Sequence, residues 1–435
     1  MPSSGDFGSP KLCLFGAAGD TGNHGVSALL HSTLAAVARY APTGRVTVFD
    51  NGWGMREARA AYGGKPFEYH LCGARLSRRF HRPESFFHMR VASLVGGIGN
   101  PGTRAILEAD AVWDITGGDS FADLYGERHL RAMLAPKRLT LACGVPLVLL
   151  PQTYGPFTRS ASRRAAASIL RSCRLAWARD EGSLSVLHDL LGSEFDPARH
   201  RSGVDVAFGL EVRAPSRTLP EPLTDWIDER RGSPAVGINV SGLLFNDPEA
   251  PRKYGLGADY ARAMRLLLAE FLRRTDARVV LVPHVLPPSG SLESDGVACR
   301  ALRESLTADE RVRVATLPEG LDASETKFVV SKLDWFSGAR MHACIGALSS
   351  GVPTGGVAYS PKMRGVFETC GQGKYVADLR RTGTEDLVAE LWRAWEERTQ
   401  ARAELSERLP AVLDRARSQM RETLEASALS RAGSR

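Results

Sequence analysis

Arg340 and His342 stand two residues apart in the stretch LDWFSGARMHACIGALSSGVPTGGVAYSPKMRGVFE, Leu333 to Glu368. The pair follows an apolar, strand-like run that ends in Gly338, and it opens a helix-like run, MHACIGALSS. A second strand-like run, VPTGGVAY, leads to Ser360-Pro361-Lys362 and another helix start. Helix N-termini carry unsatisfied N–H groups and partial positive charge. A cation delivered twice to such an end is the chemistry of a pocket for a phosphorylated, carboxylated small molecule. The same partial charge disfavours a protonated imidazole, whereas a bound phosphate dianion would favour it. His342 is therefore expected to become a proton donor only in the loaded site. Lys362 is expected as a second phosphate contact, with a solvated surface lysine as the alternative.

Other reactive residue types fall just beyond apolar runs. The loop GAAGDTGNHGVSALL, residues 16–30, carries four glycines and Asn23-His24. Asp50 ends the next apolar run, where a dinucleotide-binding enzyme holds a ribose. The glycine spacing is not GxGxxG, so a nicotinamide site stands beside the plainer reading of a tight strand-to-helix turn. WDITGGDSFADLYGERH, residues 113–129, presents Gly118, Asp119, Ser120, Asp123 and Tyr125. A carboxylate there could accept a proton from a sugar hydroxyl; helix capping by Asp119 or Ser120 is the alternative. PQTYGPF, residues 151–157, offers Gln152 and Tyr154 to a polar pocket, or simply fixes a turn. Arg179-Asp180 ends a further run; the arginine is either a fork for carboxylate or phosphate, or half of a buried ion pair.

These residues need elements to hold them. KLCLFG, RVTVFD, AVWDITGG, VPLVLLPQ and LAWARDEGS alternate with helical patterns, which predicts a parallel sheet covered on both faces. The segment 211–234 is rich in Pro, Arg and acids and reads as a linker after an N-terminal domain, 1–210. The alternation restarts with AVGINVSG and ARVVLVPH, giving a second domain, 235–386. The fold expected is α/β, two doubly wound, Rossmann-like domains. Residues 387–435 are expected to form an amphipathic helical tail packed back on the body. Residues 73–99 mix arginines with Phe80, Phe86 and Phe87. They read either as a membrane- or acceptor-facing element or as an irregular insertion with its aromatics in a core.

Composition narrows the function classes. The chain has 435 residues, 43% hydrophobic and 24% charged, with a formal net charge of +7, a profile of soluble globular proteins. The basic charge is spread over a long chain without a nucleic-acid motif, so an anionic substrate or an anionic membrane surface fits it better than DNA or RNA. Seven cysteines, odd in number and without a CxxC pair, predict reduced thiols, no structural zinc and a cytoplasmic location. The N-terminus lacks the apolar stretch of a signal peptide, and no apolar run is long enough to span a bilayer.

GNHGVSALL, GGDSFADLYG, PQTYGPF, WARDEGS and the long GARMHACIGALSSGVPTGGVAYSPKMRG block fall in one order that resembles the polysaccharide pyruvyl transferase family, over roughly residues 11–380. The resemblance implies a GT-B-like fold with the active site in a cleft between two domains. It implies transfer of pyruvate from phosphoenolpyruvate to two hydroxyls of a sugar, forming a cyclic ketal and releasing phosphate. No metal-ligand constellation stands in the sequence and no cofactor is expected; the acceptor is expected to be a glycan or a lipid-linked sugar, the latter compatible with peripheral membrane contact although nothing in the sequence is an anchor. Arg340 and His342 match the family's Arg–x–His element, the arginine holding the donor and the histidine acting as general acid; Met341 suits the bulky position between them. Arg179 matches an arginine that clamps the donor, and Asp119 with Gly118 matches a loop near the acceptor. Asn23 and Gln152 complete the expected substrate contacts. Residues 52–105 have no match. The acceptor's identity, the ketal stereochemistry and the oligomeric state are not legible. The competing readings are a nucleotide-sugar glycosyltransferase of the same architecture, a catalytically silent glycan-binding protein, and the nicotinamide-dependent oxidoreductase.

Overall fold

The computed structural model describes residues 7–77, 79–228, 232–287 and 290–428. The chain forms two compact units: one of Met1–Thr21, Leu29–Gly209 and Asp414–Arg435, the other of Gly22–Ala28 and Leu210–Leu413.

The first unit holds strands β1 (Lys11–Phe15), β2 (Arg45–Asp50), β3 (Met55–Tyr62), β4 (Lys65–Gly73), β5 (Ala111–Asp114), β6 (Leu147–Gln152), β7 (Leu175–Ala178) and β8 (His200–Ser202). They form one sheet in the order β3-β4-β2-β1-β5-β6-β7-β8. Every neighbouring pair is parallel except the β3–β4 hairpin at the edge. β1, β5, β6 and β7 are almost wholly buried, which explains why they read as continuous apolar runs.

The second unit holds β9 (Ala235–Asn239), β10 (Arg278–Leu281), β11 (Val314–Thr316), β12 (Trp335–Gly338), β13 (Thr354–Ala358) and β14 (Val376–Asp378). Their order, β11-β10-β9-β12-β13-β14, is all parallel and matches the doubly wound dinucleotide-fold order 3-2-1-4-5-6. Strand order reverses between β9 and β12, and ligands of such sheets bind beyond the strand ends at that point.

The unit boundary at residues 209/210 lies beside the expected end of the first domain, but three segments fall elsewhere. The expected linker groups with the second unit, and its helix Leu223–Trp226 buries Leu223 and Trp226; residues 229–231 lie outside the described residues. Gly22–Ala28 also groups with the second unit. The expected tail is two helices, not one. Thr384–Glu396 buries Leu387, Leu391, Trp392 and Trp395 in the second unit's core. There Phe271, Trp335 and Trp395 pack with ring centroids 5.2–6.1 Å apart. Helix Arg398–Ala428 begins in the second unit and, from Asp414, belongs to the first. There Thr423 and Ser427 accept hydrogen bonds from the indoles of Trp177 and Trp113, both at 3.0 Å. Leu429 and the residues after it lie outside the described residues.

Candidate functional site

In the second unit, β12 ends at Gly338, paired in register with Asn239 at the end of β9. Arg340 follows as the N-cap of the helix Met341–Leu348, and His342 sits in that helix's first turn. Asn239 Oδ1 accepts from the Arg340 backbone N–H at 2.9 Å, which fixes the helix entry. The Arg340 guanidinium does not cap the helix. Its Nε and Nη2 reach Asp295 Oδ1 at 3.1 and 2.8 Å, and Nη2 also donates to the Glu293 carbonyl at 2.9 Å. Among the described residues, Nη1 is left without a protein acceptor. The side chain keeps 13% of its exposure while Asp295 has none. Burial pulls the Arg340 pKa down, but the Asp295 carboxylate outweighs it, so the guanidinium stays charged.

Asp295 is the hub. Its carboxylate also accepts from the backbone N–H groups of Gly242 (2.8 Å), His284 (3.1 Å) and Val285 (3.0 Å), and from Asn239 Nδ2 (3.3 Å). The segment Gly22–Ala28 meets the same cluster. The His24 N–H donates to the His284 carbonyl at 3.0 Å, and the two imidazoles stand edge to face at 5.4 Å. Asn23 Oδ1 accepts from Gly25 N–H at 2.9 Å and so caps the helix beginning at His24. A Cβ on Gly25 would lie 2.5 Å from His342 Nδ1; glycine here makes room for the imidazole. Two helix N-termini therefore meet at His342. Burial holds His284 well below the usual imidazole pKa, and its neighbours His24, His342 and Arg340 push it the same way. Burial also lowers His24, against the pull of Asp295. The arrangement sets a fixed guanidinium edge and imidazoles beside the partial positive charge of two helix N-termini.

Five of the expected residues lie in this unit. Asn23, Arg340, Met341 and His342 are gathered as described, and Met341 is the half-buried first helical residue. Lys362 begins the helix Lys362–Thr369 after β13, half-buried.

The other four lie at or just beyond strand ends of the first unit. Thr116, Gly117 and Gly118 follow β5 with φ of 46°, 61° and 82°, a left-handed run that glycine tolerates and threonine resists. It is tethered from beneath: Lys137, wholly buried, donates to Asp114 Oδ1 at 2.7 Å and to Thr116 Oγ1 at 2.6 Å, and Thr116 donates to Asp114 at 2.5 Å. Asp119 follows, half-exposed, with the Tyr125 hydroxyl donating to it at 3.4 Å. Neither Asp119 nor Ser120 caps a helix, because the next one starts at Glu127 behind Gly126. Asp123 is a brace: it accepts from Thr158 and Arg159 N–H at 2.8 and 3.0 Å. Gln152 is wholly buried and donates to the Asp114 carbonyl at 3.2 Å. Tyr154 is core, against Phe121. Arg179 is also wholly buried, with Asp205 at 2.8 Å and Asp180 at 3.8 Å. Its nearer partner is thus Asp205; Asp180 caps the helix Glu181–Leu191 by accepting from Ser183 N–H. Asp50, the ribose candidate of the nicotinamide reading, is held by Arg56 and by Gly52 N–H.

Asp295, Asn239, His284 and Lys137 were not singled out from sequence. Asn239 and His284 each lie at or near the end of an apolar strand run, the position that did flag Asp119 and Arg179. Asp295 and Lys137 sit within helices and carried no such signal.

The profile of the family described as polysaccharide pyruvyl transferase matches residues 23–361, from the cap at Asn23 to the turn before Lys362. The chain belongs to that family. Among curated relatives it is similar to the amylovoran biosynthesis protein AmsJ of Erwinia amylovora, 22% identical over 299 residues; the match spans 66% of each chain, just under two thirds of that relative's length. Solved structures share the fold. An alpha,alpha-trehalose 6-phosphate synthase from Burkholderia multivorans superposes with TM-score 0.54 at 11% identity, covering 98% of this chain and 99% of its own. A UDP-N-acetylglucosamine 2-epimerase does so with TM-score 0.55 at 13% identity, covering 96% and 95%. This polysaccharide pyruvyl transferase family member thus has a GT-B-like fold of two Rossmann-like domains. No helix among its described residues is long and apolar enough to cross a membrane.

Proposed function

We propose that the protein transfers pyruvate from phosphoenolpyruvate onto two hydroxyls of a glycan or lipid-linked sugar, forming a cyclic ketal. The observation that carries this reading is the Arg340–Asp295 pair, which aims a charged guanidinium edge into a site shared by His342 and two helix N-termini. In the proposed reaction Arg340 and the partial positive charge of the two helix N-termini hold the donor's phosphate and carboxylate, with Lys362 as a further cation. His342 delivers a proton to the terminal methylene carbon. The central carbon gains oxocarbenium character, a sugar hydroxyl adds there while Asp119 takes its proton, phosphate leaves carrying that proton, and the second hydroxyl closes the ring as its own proton restores His342. A bound dianion would favour the imidazolium form of His342 that this step consumes. Neither a metal nor a cofactor is called for. The proposal places the enzyme in the cytoplasm, where its seven cysteines, all free, would stay reduced.

Calorimetric titration with phosphoenolpyruvate, beside uridine diphosphate and NAD, tests the donor. Saturable binding of phosphoenolpyruvate alone, lost in Arg340→Ala, is expected; nucleotide binding without it would refute the proposal. The same titration on Arg179→Ala tests the direct donor contact that the family resemblance implies for that buried residue. His342→Ala should keep donor binding and lose roughly 100- to 10,000-fold in turnover, the usual cost of removing a general acid.

A further inference from the structure

The helix Phe86–Ser93 buries Met89 and Ala92 and turns the opposite side outward. On that outer side Phe87 and Val91 are 56% and 50% exposed, and the following turn adds Leu94, Val95 and Ile98 at 74%, 55% and 73%. Phe87 and Val91 stand at i and i+4 on the helix, and Leu94, Val95 and Ile98 extend the exposed apolar surface through the turn that follows Ser93. Phe80, 54% exposed, packs against Phe87 with ring centroids 4.8 Å apart and the rings tilted by 54°. Soluble surfaces carry scattered apolar side chains but seldom a contiguous set this exposed.

Within residues 73–99 the charge is almost all of one sign. Residues 73–99 contain five arginines and a single acid, Glu84. Glu84 is buried, accepting from Gly54 N–H at 3.0 Å, while Arg79, Arg82 and Arg90 are exposed; Arg78 lies outside the described residues. Arg82 also stands 5.4 Å over the ring of Trp53, itself 52% exposed. An apolar surface accompanied by arginines and aromatic rings is how an interfacial helix engages headgroups and acyl chains together.

We propose that this face docks the enzyme on an anionic bilayer surface, Phe87, Leu94 and Ile98 entering the acyl boundary and the exposed arginines meeting lipid phosphates. The inference stands on the first unit alone and is independent of the ketal chemistry. Flotation of the full chain with vesicles of phosphatidylcholine, with and without phosphatidylglycerol, tests it. Binding to the anionic vesicles, falling as salt is raised, is expected. Arg82→Glu with Arg90→Glu should weaken it by about 25-fold or more, since each surface arginine contributes about five-fold. Phe87→Glu with Leu94→Glu should weaken it at least about ten-fold. Both pairs are exposed, so the fold should survive, as circular dichroism would verify. In Phe87→Trp, quenching by brominated acyl chains should report insertion. Absence of binding to anionic vesicles, or equal binding by the variants, overturns the proposal. So does a wild-type dimer in solution that Phe87→Glu splits, which would assign the face to a second copy of the chain.

Discussion

Replacing Asp295 with Asn is the sharpest test of how the site is held. The carboxylate accepts on both oxygens: Oδ1 takes Gly242 N–H and two nitrogens of Arg340, and Oδ2 takes His284 N–H, Val285 N–H and Asn239 Nδ2. An amide supplies one acceptor and one donor. Whichever way it turns, an NH2 group faces existing donors, and the charge that neutralises Arg340 is gone. Removing one partner of a buried pair typically costs about 3–5 kcal/mol, a large part of a domain's roughly 5–15 kcal/mol. Arg340→Met should cost less. The carboxylate it leaves behind keeps three backbone N–H donors and Asn239, so the loss is confined to the charge-assisted bonds, about 1.5–3 kcal/mol. Urea denaturation of the three proteins, followed by circular dichroism, measures both. An Arg340→Met loss equal to or larger than that of Asp295→Asn would refute the view that the carboxylate is built into the backbone and the arginine is mounted on it.

Gly25→Ala places a methyl group 2.5 Å from His342 Nδ1, so it should cut turnover by about 100-fold through displacement of that ring; steady-state kinetics with unchanged secondary structure would show it. Lys327 is buried and donates to the Leu210 carbonyl at 2.7 Å, and burial lowers its pKa to about 8. Above that value the folded state sheds the proton while the unfolded chain keeps it up to 10.5, so stability rises across this window. The difference in unfolding free energy between wild type and Lys327→Met should therefore grow in favour of wild type by ~3 kcal/mol from about pH 7 to about pH 11; a flat difference would contradict a buried, titrating amine. Activity should survive EDTA, and its abolition by chelator would contradict the proposed chemistry.

Apolar runs made the central strands legible, because β1, β5, β6, β7, β9 and β12 are covered on both faces and their composition has no polar alternation to confuse it. The hairpin β3–β4 was missed for the opposite reason: MREARAAY and KPFEYHLCG alternate exposed and covered residues at a sheet edge and resemble loop, although the Gly63-Gly64 turn between them was a usable signal. At the site, Arg340 and His342 were legible because local spacing alone puts them at a helix start. Asp295 was not, since its role depends on contacts with residues 45 and 56 positions away. Likewise, nothing local in Arg179 reveals that its nearer partner is Asp205, 26 residues on, rather than its neighbour Asp180.

The pinning of Trp113 and Trp177 by Ser427 and Thr423 bears on how the protein emerges from the ribosome. The first unit includes Leu29–Gly209, yet the indoles on its strands β5 and β7 are partnered by a helical segment made after Asp414. Chains normally fold domain by domain from the N-terminus as they are synthesised. Here the earlier-made sheet must wait, its two indoles lacking these hydroxyl partners, until about two hundred later residues have been translated. The second unit, supplied by Gly22–Ala28 and Leu210–Leu413, has all of its sequence first, so birth order and completion order run in opposite directions.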